Sequence, residues 1–256
     1  MIAKRTIRYG SEASQEADLY VPDERHAPVV CLLHGGFWRI PYGREQLDAI
    51  ARNLVSRRFA VWNLGYRRIG ELGGGWPGTL HDVATGIDHL AALRVEHADL
   101  DLSRVIVAGH SAGGQLALWA SARHTRSTVP GVPTRVRVIA CAGLAAALDL
   151  ATLFAIGAGN GAVGELLEGS PLEQPRRYAA ASPVALLPLG APQLIVHGAA
   201  DDALPVQIAR DYVRAAGAAG DRIQFCELPR AGHMDFLDPN SEAHGVFCRW
   251  LDQVVG

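Results

Sequence analysis

The sequence predicts an α/β fold: one domain built on a mostly parallel, eight-stranded sheet with helices on both faces. Three observations predict it. From Val29 onward, short runs rich in Val, Ile and Leu alternate with longer helix-like segments, the rhythm of a parallel sheet covered on both sides. The 256 residues are 49% hydrophobic, enough for one sizeable core. The stretch "VIVAGHSAGGQLALW", residues 105–119, runs from an apolar strand through a glycine corner into a helical pattern.

The strand candidates are 6–9, 17–21, 29–33, 60–64, 105–108, 136–142, 193–196 and 223–228. No helix separates the first two, so they form a hairpin at one edge of the sheet. Helices are expected over 44–57, 79–97, 112–124, 206–219 and 241–255. Thr79 is placed to cap the segment that carries Asp82, and Asn240 or Ser241 to cap the last helix. Residues 149–190 break the alternation: they hold Gly, Ala and Pro, a short helix-like piece at 165–167 and no clear strand. Such an excursion above strand ends reads as a short cap or lid, with a plain surface insertion as the alternative.

Charge excludes some partners. With 24 Lys and Arg against 26 Asp and Glu, the chain offers no electrostatic footprint for nucleic acid or an anionic membrane. No apolar run approaches the roughly 18 residues that span a bilayer. The first residues, MIAKRTIR, lack the apolar core of a signal peptide, and a cytoplasmic protein is expected. Cys31, Cys141, Cys226 and Cys248 lie far apart with no C-x-x-C spacing, as buried inert thiols do. "GNGAVG", residues 159–164, matches the G-x-G-x-x-G phosphate pattern. A poor strand precedes it and no ribose-binding acid follows, so no nucleotide cofactor is expected. Nor is a metal, since the chain has no H-E-x-x-H and its histidines are scattered.

The chemistry gathers at strand ends. In Gly109-His110-Ser111-Ala112-Gly113, a serine in a strained strand-to-helix turn presents its hydroxyl, and flanking glycines relieve the crowding. The plain alternative is a serine that caps the following helix. A serine hydroxyl is a poor nucleophile at neutral pH, so an imidazole must take its proton and a carboxylate must orient that imidazole. "HGAADDALP", residues 197–205, and "PRAGHMDF", residues 229–236, follow later strands, where that acid and base belong. His233 is the base candidate. Asp201 and Asp202 point in nearly opposite directions, so one reaches His233 and the other caps the helix that starts near Pro205. Ala112 supplies one backbone N–H of an oxyanion hole, and "LLHGGFW", residues 32–38, supplies the rest. His34 reads as a loop-shaping residue bonded to backbone.

With His-Gly-Gly, the serine corner, His-Gly-x-x-Asp and a late Gly-His in that order, the chain resembles the α/β-hydrolase superfamily over nearly its whole length. The resemblance implies a Ser111–His233–Asp201 triad, with Gly36, Phe37 and Ala112 as oxyanion donors. More narrowly, His34-Gly35-Gly36-Phe37-Trp38, the serine motif and "NLGYRR" (63–68) are similar to the esterase/lipase branch of kynurenine formamidases and small carboxylesterases. In that branch the arginine is usually structural. Phe37 stands where formamidases commonly carry tyrosine. The implied activity is hydrolysis of a small carboxylic ester, with an aryl-formamide hydrolase second and a non-catalytic ligand-binding protein third. Trp38 and His110 are expected at the substrate, although both rings of Phe37 and Trp38 could simply pack the loop. The expected partner is a small-molecule ester or amide, with a homodimer allowed.

Overall fold

A computed structural model describes residues 4–94, 97, 99–125 and 134–256. Eight strands form one sheet in the order β1-β2-β4-β3-β5-β6-β7-β8. They are β1 (Lys4–Arg8), β2 (Glu16–Tyr20), β3 (Ala27–Leu33), β4 (Ala60–Leu64), β5 (Leu100–His110), β6 (Val138–Leu144), β7 (Gln193–Gly198) and β8 (Ile223–Leu228). The β1–β2 hairpin and the β2–β4 pair are antiparallel, and the remaining pairs are parallel. The mostly parallel sheet and its edge hairpin are therefore as the alternation predicts.

Side-chain period explains why the central strands read as unbroken apolar runs. In β3, Val29, Cys31 and Leu33 enter one core with Trp62, Val107 and the helices α2 (Gly78–Leu93), α3 (Ala112–Ala122) and α7 (Val206–Ala218). Val30 and Leu32 enter the other, with Ile106, α1 (Asp48–Ser56) and α8 (Glu242–Val255). A strand buried on both faces has no polar side to alternate with. Among the described residues, no helix is long and apolar enough to cross a membrane.

Local boundaries differ where tertiary partners decide. β5 begins at Leu100 rather than Val105 because Leu100 and Asp101 pair with Ala27 and Pro28 across a register shift. A 3-10 turn, Arg44–Leu47, leads into α1. Thr79 does not cap α2. Its Oγ1 accepts from Gly75 N at 3.0 Å and donates to Arg67 O at 2.6 Å, pinning the loop before the helix. Ser241 does cap α8, accepting from His244 N at 3.1 Å.

Arg67 is structural. Asp82 Oδ2 accepts from its backbone N at 2.9 Å and its Nε at 2.8 Å, and Asp82 Oδ1 accepts from its Nη2 at 2.7 Å. Gln15 Nε2 adds a fourth donor at 2.7 Å. Asp82 is 1% exposed, so Asp82→Ala strands a largely buried guanidinium. Loss of about 3 kcal/mol of unfolding free energy is expected in urea melts at constant m value.

Residues 149–190 form three short helices, α4 (Leu150–Ala155), α5 (Ala158–Leu167) and α6 (Pro175–Ala181), and a 3-10 turn at Pro183–Leu186. "GNGAVG" lies inside α5, with Gly159, Asn160 and Gly161 left-handed and α4 before it. No strand feeds it, so the N–H cradle of a phosphate loop is not formed there.

Candidate active site

The serine corner stands between β5 and α3. Ser111 adopts φ 55, ψ −119 and makes no side-chain cap bond to α3, so the helix-cap alternative is not what the side chain does. The left-handed corner is held by backbone: Ser111 N donates to Leu144 O at 2.9 Å, and Ser111 O accepts from Gly114 N at 3.0 Å and Ala147 N at 3.2 Å. Strain over-determined in this way is typical of a displayed functional group. A Cβ at Gly113 would fall 2.0 Å from Leu33 O, and one at Gly109 2.1 Å from Gly113 O. The two glycines let the new helix press against the ends of β3 and β5. Ala112 is the first residue of α3, so its N–H has no intrahelical acceptor.

The acid and base loops meet nearby. Asp201 Oδ2 accepts from His233 Nδ1 at 2.8 Å, and Oδ1 accepts from the N–H of Ala203 at 2.9 Å and of Leu204 at 2.8 Å. Burial alone would raise the Asp201 carboxyl; hydrogen bonds from His197, His233 and Leu204 outweigh it and hold the group well below the usual carboxylate range. Asp202 is exposed. The helix after it has no side-chain cap, so the capping role expected of Asp202 is not filled; Asp201 itself binds the loop N–H groups. Among the described residues, no hydrogen bond joins the Ser111 hydroxyl to His233. Such contacts are commonly long before substrate binds. The two loops are tied through His110 instead: its Nε2 donates to His233 O at 2.8 Å, and the two rings lie 4.7 Å apart.

Two residues expected at the substrate are placed elsewhere. Trp38 is 1% exposed, and its Nε1 donates to Gln115 Oε1 at 2.9 Å while Gln115 Nε2 donates to Ala181 O at 2.9 Å. The indole joins the HGGFW loop to α3 and α6 and leaves no face for a ligand. His110 is 3% exposed, and burial and the neighbouring His233 push it down to about 4; it backs His233 rather than opening to the surface. His34 shapes its loop as expected, donating from Nδ1 to Gly35 O at 2.8 Å and stacking on Tyr66 at 4.2 Å. Burial pushes it down to about 3.

The proposed oxyanion loop is left-handed throughout, with φ 103 at Gly36, 52 at Phe37 and 57 at Trp38. Arg39 then fastens it to the 149–190 excursion. Its Nη1 donates to Gly159 O at 2.6 Å, its Nη2 to Asn160 O at 3.1 Å, and the guanidinium pairs with Glu165 at 2.7 Å. The Phe37 ring lies so close to Gly159 that a Cβ there would sit 2.3 Å from it. Arg39→Ala is expected to weaken this docking by about 1–2 kcal/mol, read as about tenfold faster amide exchange in α5 with little change in melting temperature. Sequence reasoning missed Arg39 because its partners are backbone carbonyls 120 residues away. It also missed Met234, next to His233 and 61% exposed, and Tyr42, whose side chain lies over Gly36. Among the described residues, no group of three or more His, Cys, Asp or Glu is arranged to hold a metal ion.

Comparison with known proteins adds relatives to this geometry. The BD-FAE family model matches residues 17–215. Esterase LipC of Mycobacterium tuberculosis is 27% identical over 270 residues, taking in 99% of this chain and 66% of LipC. The probable carboxylic ester hydrolase LipM of the same organism is 28% identical over 228 residues, 85% of this chain and 52% of LipM. The chain thus spans less than two thirds of the length of these two relatives. Among solved structures, esterase B from Lactobacillus rhamnosis superposes with a TM-score of 0.83 over 99% of this chain and 86% of that one, at 19% identity. That likeness is one of fold.

Proposed function

Since the chain belongs to the BD-FAE family, we propose that it is a carboxylic ester hydrolase that works through an acyl-enzyme on Ser111. The observation that carries this reading is the gathering, in loops after the carboxyl ends of β5, β7 and β8, of a left-handed serine at a helix start and a bonded Asp201–His233 pair. Esterase relatives along nearly the whole chain support it.

In the first step His233 Nε2 takes the Ser111 proton as Oγ attacks the ester carbonyl, and the imidazolium that forms is stabilised by Asp201. Negative charge grows on the carbonyl oxygen, where the N–H of Ala112, at the positive end of α3, and those of Gly36 and Phe37 stabilise it. The protonated His233 then gives its proton to the leaving alkoxide. Water, deprotonated by the same histidine, cleaves the acyl-enzyme and returns Ser111. The docked α4–α6 segment acts as a short cap, and its size suits small acyl esters.

Reaction with a fluorophosphonate probe followed by peptide mapping tests the assignment. One phosphonyl group is expected on Ser111, with p-nitrophenyl acetate and butyrate turnover lost in step. Turnover that survives full labelling, or labelling at another residue, would overturn it.

A further inference from the structure

Two histidines outside the triad converge on its acid and base. His197 is the next-to-last residue of β7 and is fully buried. Its Nε2 lies 3.2 Å from Asp201 Oδ2 and 2.9 Å from Leu204 O. Both neighbours can only accept, so Nε2 carries the proton, and the unpartnered buried Nδ1 is a bare lone pair. His110 repeats the pattern: Nε2 donates to His233 O at 2.8 Å, and its Nδ1 is likewise buried without a partner. An imidazole held in one tautomer is a rigid, directional donor. A side chain kept only for packing would not need it.

Resting on the triad reading above, we propose that His197 and His110 are positioning residues, a paired brace in which one holds the acid and the other the base. His197 shares Asp201 Oδ2 with His233 and fixes which lone pair the base receives. His110 clamps the main chain of the base from the nucleophile's own loop, which sets His233 against Ser111 even though the two side chains share no direct bond. Misplacement of reacting groups by about 1 Å costs about 100-fold in rate, which is the scale on which such a brace acts.

The two members differ in their electrostatic effect. The groups facing Asp201 are His197, His233 and the N–H groups of Ala203 and Leu204. His110 lies beyond His233, and Glu227 stands opposite His197 on β8. Removing the His197 donor concentrates charge on Asp201 Oδ2, favours the imidazolium of the base, and moves the acid limb of kcat/KM to higher pH. Removing His110 takes a donor from a neutral carbonyl, so the limb stays and kcat alone falls.

The test uses the full chain and p-nitrophenyl butyrate. His197→Phe is expected to lower kcat 10- to 100-fold at nearly constant KM and to move the acid limb up by about half a pH unit or more. His197→Gln, whose amide reaches the same two acceptors, restores both. His110→Phe lowers kcat similarly with an unmoved limb, and His110→Gln restores it. Should a Phe variant not fold, the shorter Asn at that position fits the space, cannot reach the acceptor, and carries the same expectation. Wild-type kcat and an unmoved limb in the folded variants would overturn the brace. Failure of the wild-type chain to turn over esters or take the fluorophosphonate would overturn the triad reading itself, so the two failures are distinct.

Discussion

Ser111→Ala is expected to lower kcat about 10⁶-fold toward esters while leaving the fold and its melting temperature nearly unchanged. The magnitude is that of deleting the nucleophile from a serine hydrolase, where the hole and binding alone leave a small residue of rate. The intact fold follows from the corner itself. Its bonds to Leu144, Gly114 and Ala147 are all main chain, and Ser111 Oγ caps nothing. Alanine inherits the same left-handed backbone, so stability should move by less than about 1 kcal/mol. Parallel melts and steady-state kinetics check both halves. Residual activity above about 1% would mean that the nucleophile lies elsewhere.

Asp201→Asn comes second, with an expected loss of about 10⁴-fold in kcat. The carboxylate accepts from four donors: His233 Nδ1, His197 Nε2 and the N–H groups of Ala203 and Leu204. An amide has one oxygen for those four. If that oxygen stays on the loop N–H groups, the NH₂ faces both imidazoles and drives the proton of His233 to Nε2, where it can no longer accept from Ser111. The substitution also removes a pH term. Because the native carboxyl sits below its ordinary range, its stabilisation is fully present above the unfolded value of about 3.9 and is lost progressively as pH falls from there through the lower folded-state value. Urea melts at pH 7 and pH 3 should therefore differ less in Asp201→Asn than in wild type. An equal difference would place the linkage on another group.

Much of this is legible in the amino-acid sequence. The β1–β2 hairpin and the parallel order from β3 onward follow from apolar runs separated by helical periods. Ser111, His233 and an Asp201/Asp202 pair follow from chemistry placed after strands, because strand ends are where a parallel sheet presents its loops; the choice of Asp201 comes only from the family resemblance. Roles within a loop were less legible. The aromatic Trp38 beside two glycines suggests a ligand contact until its Nε1 is seen on Gln115. The histidine of the serine motif suggests the same until its Nε2 is seen on the His233 main chain. Direction of a side chain in an irregular loop depends on backbone angles such as the three left-handed residues 36–38, and no periodicity encodes those.

The sequence by itself determined the layered α/β architecture, the two-sided burial of its strands, and the order in which the serine, carboxylate and histidine loops arrive, because each is written in local patterns of a few to a dozen residues. Only the tertiary structure decided that His197 and His110 bond to Asp201 and to the His233 main chain, that Arg39 ties the 149–190 segment to the 36–38 loop, and that Trp38 belongs to the core. Those assignments join residues as far apart as 126 positions, as Arg39 and Glu165 are. Hydrogen bonds between loops decide each of them, and those bonds exist only once the sheet has brought its loops together at the carboxyl ends of its strands.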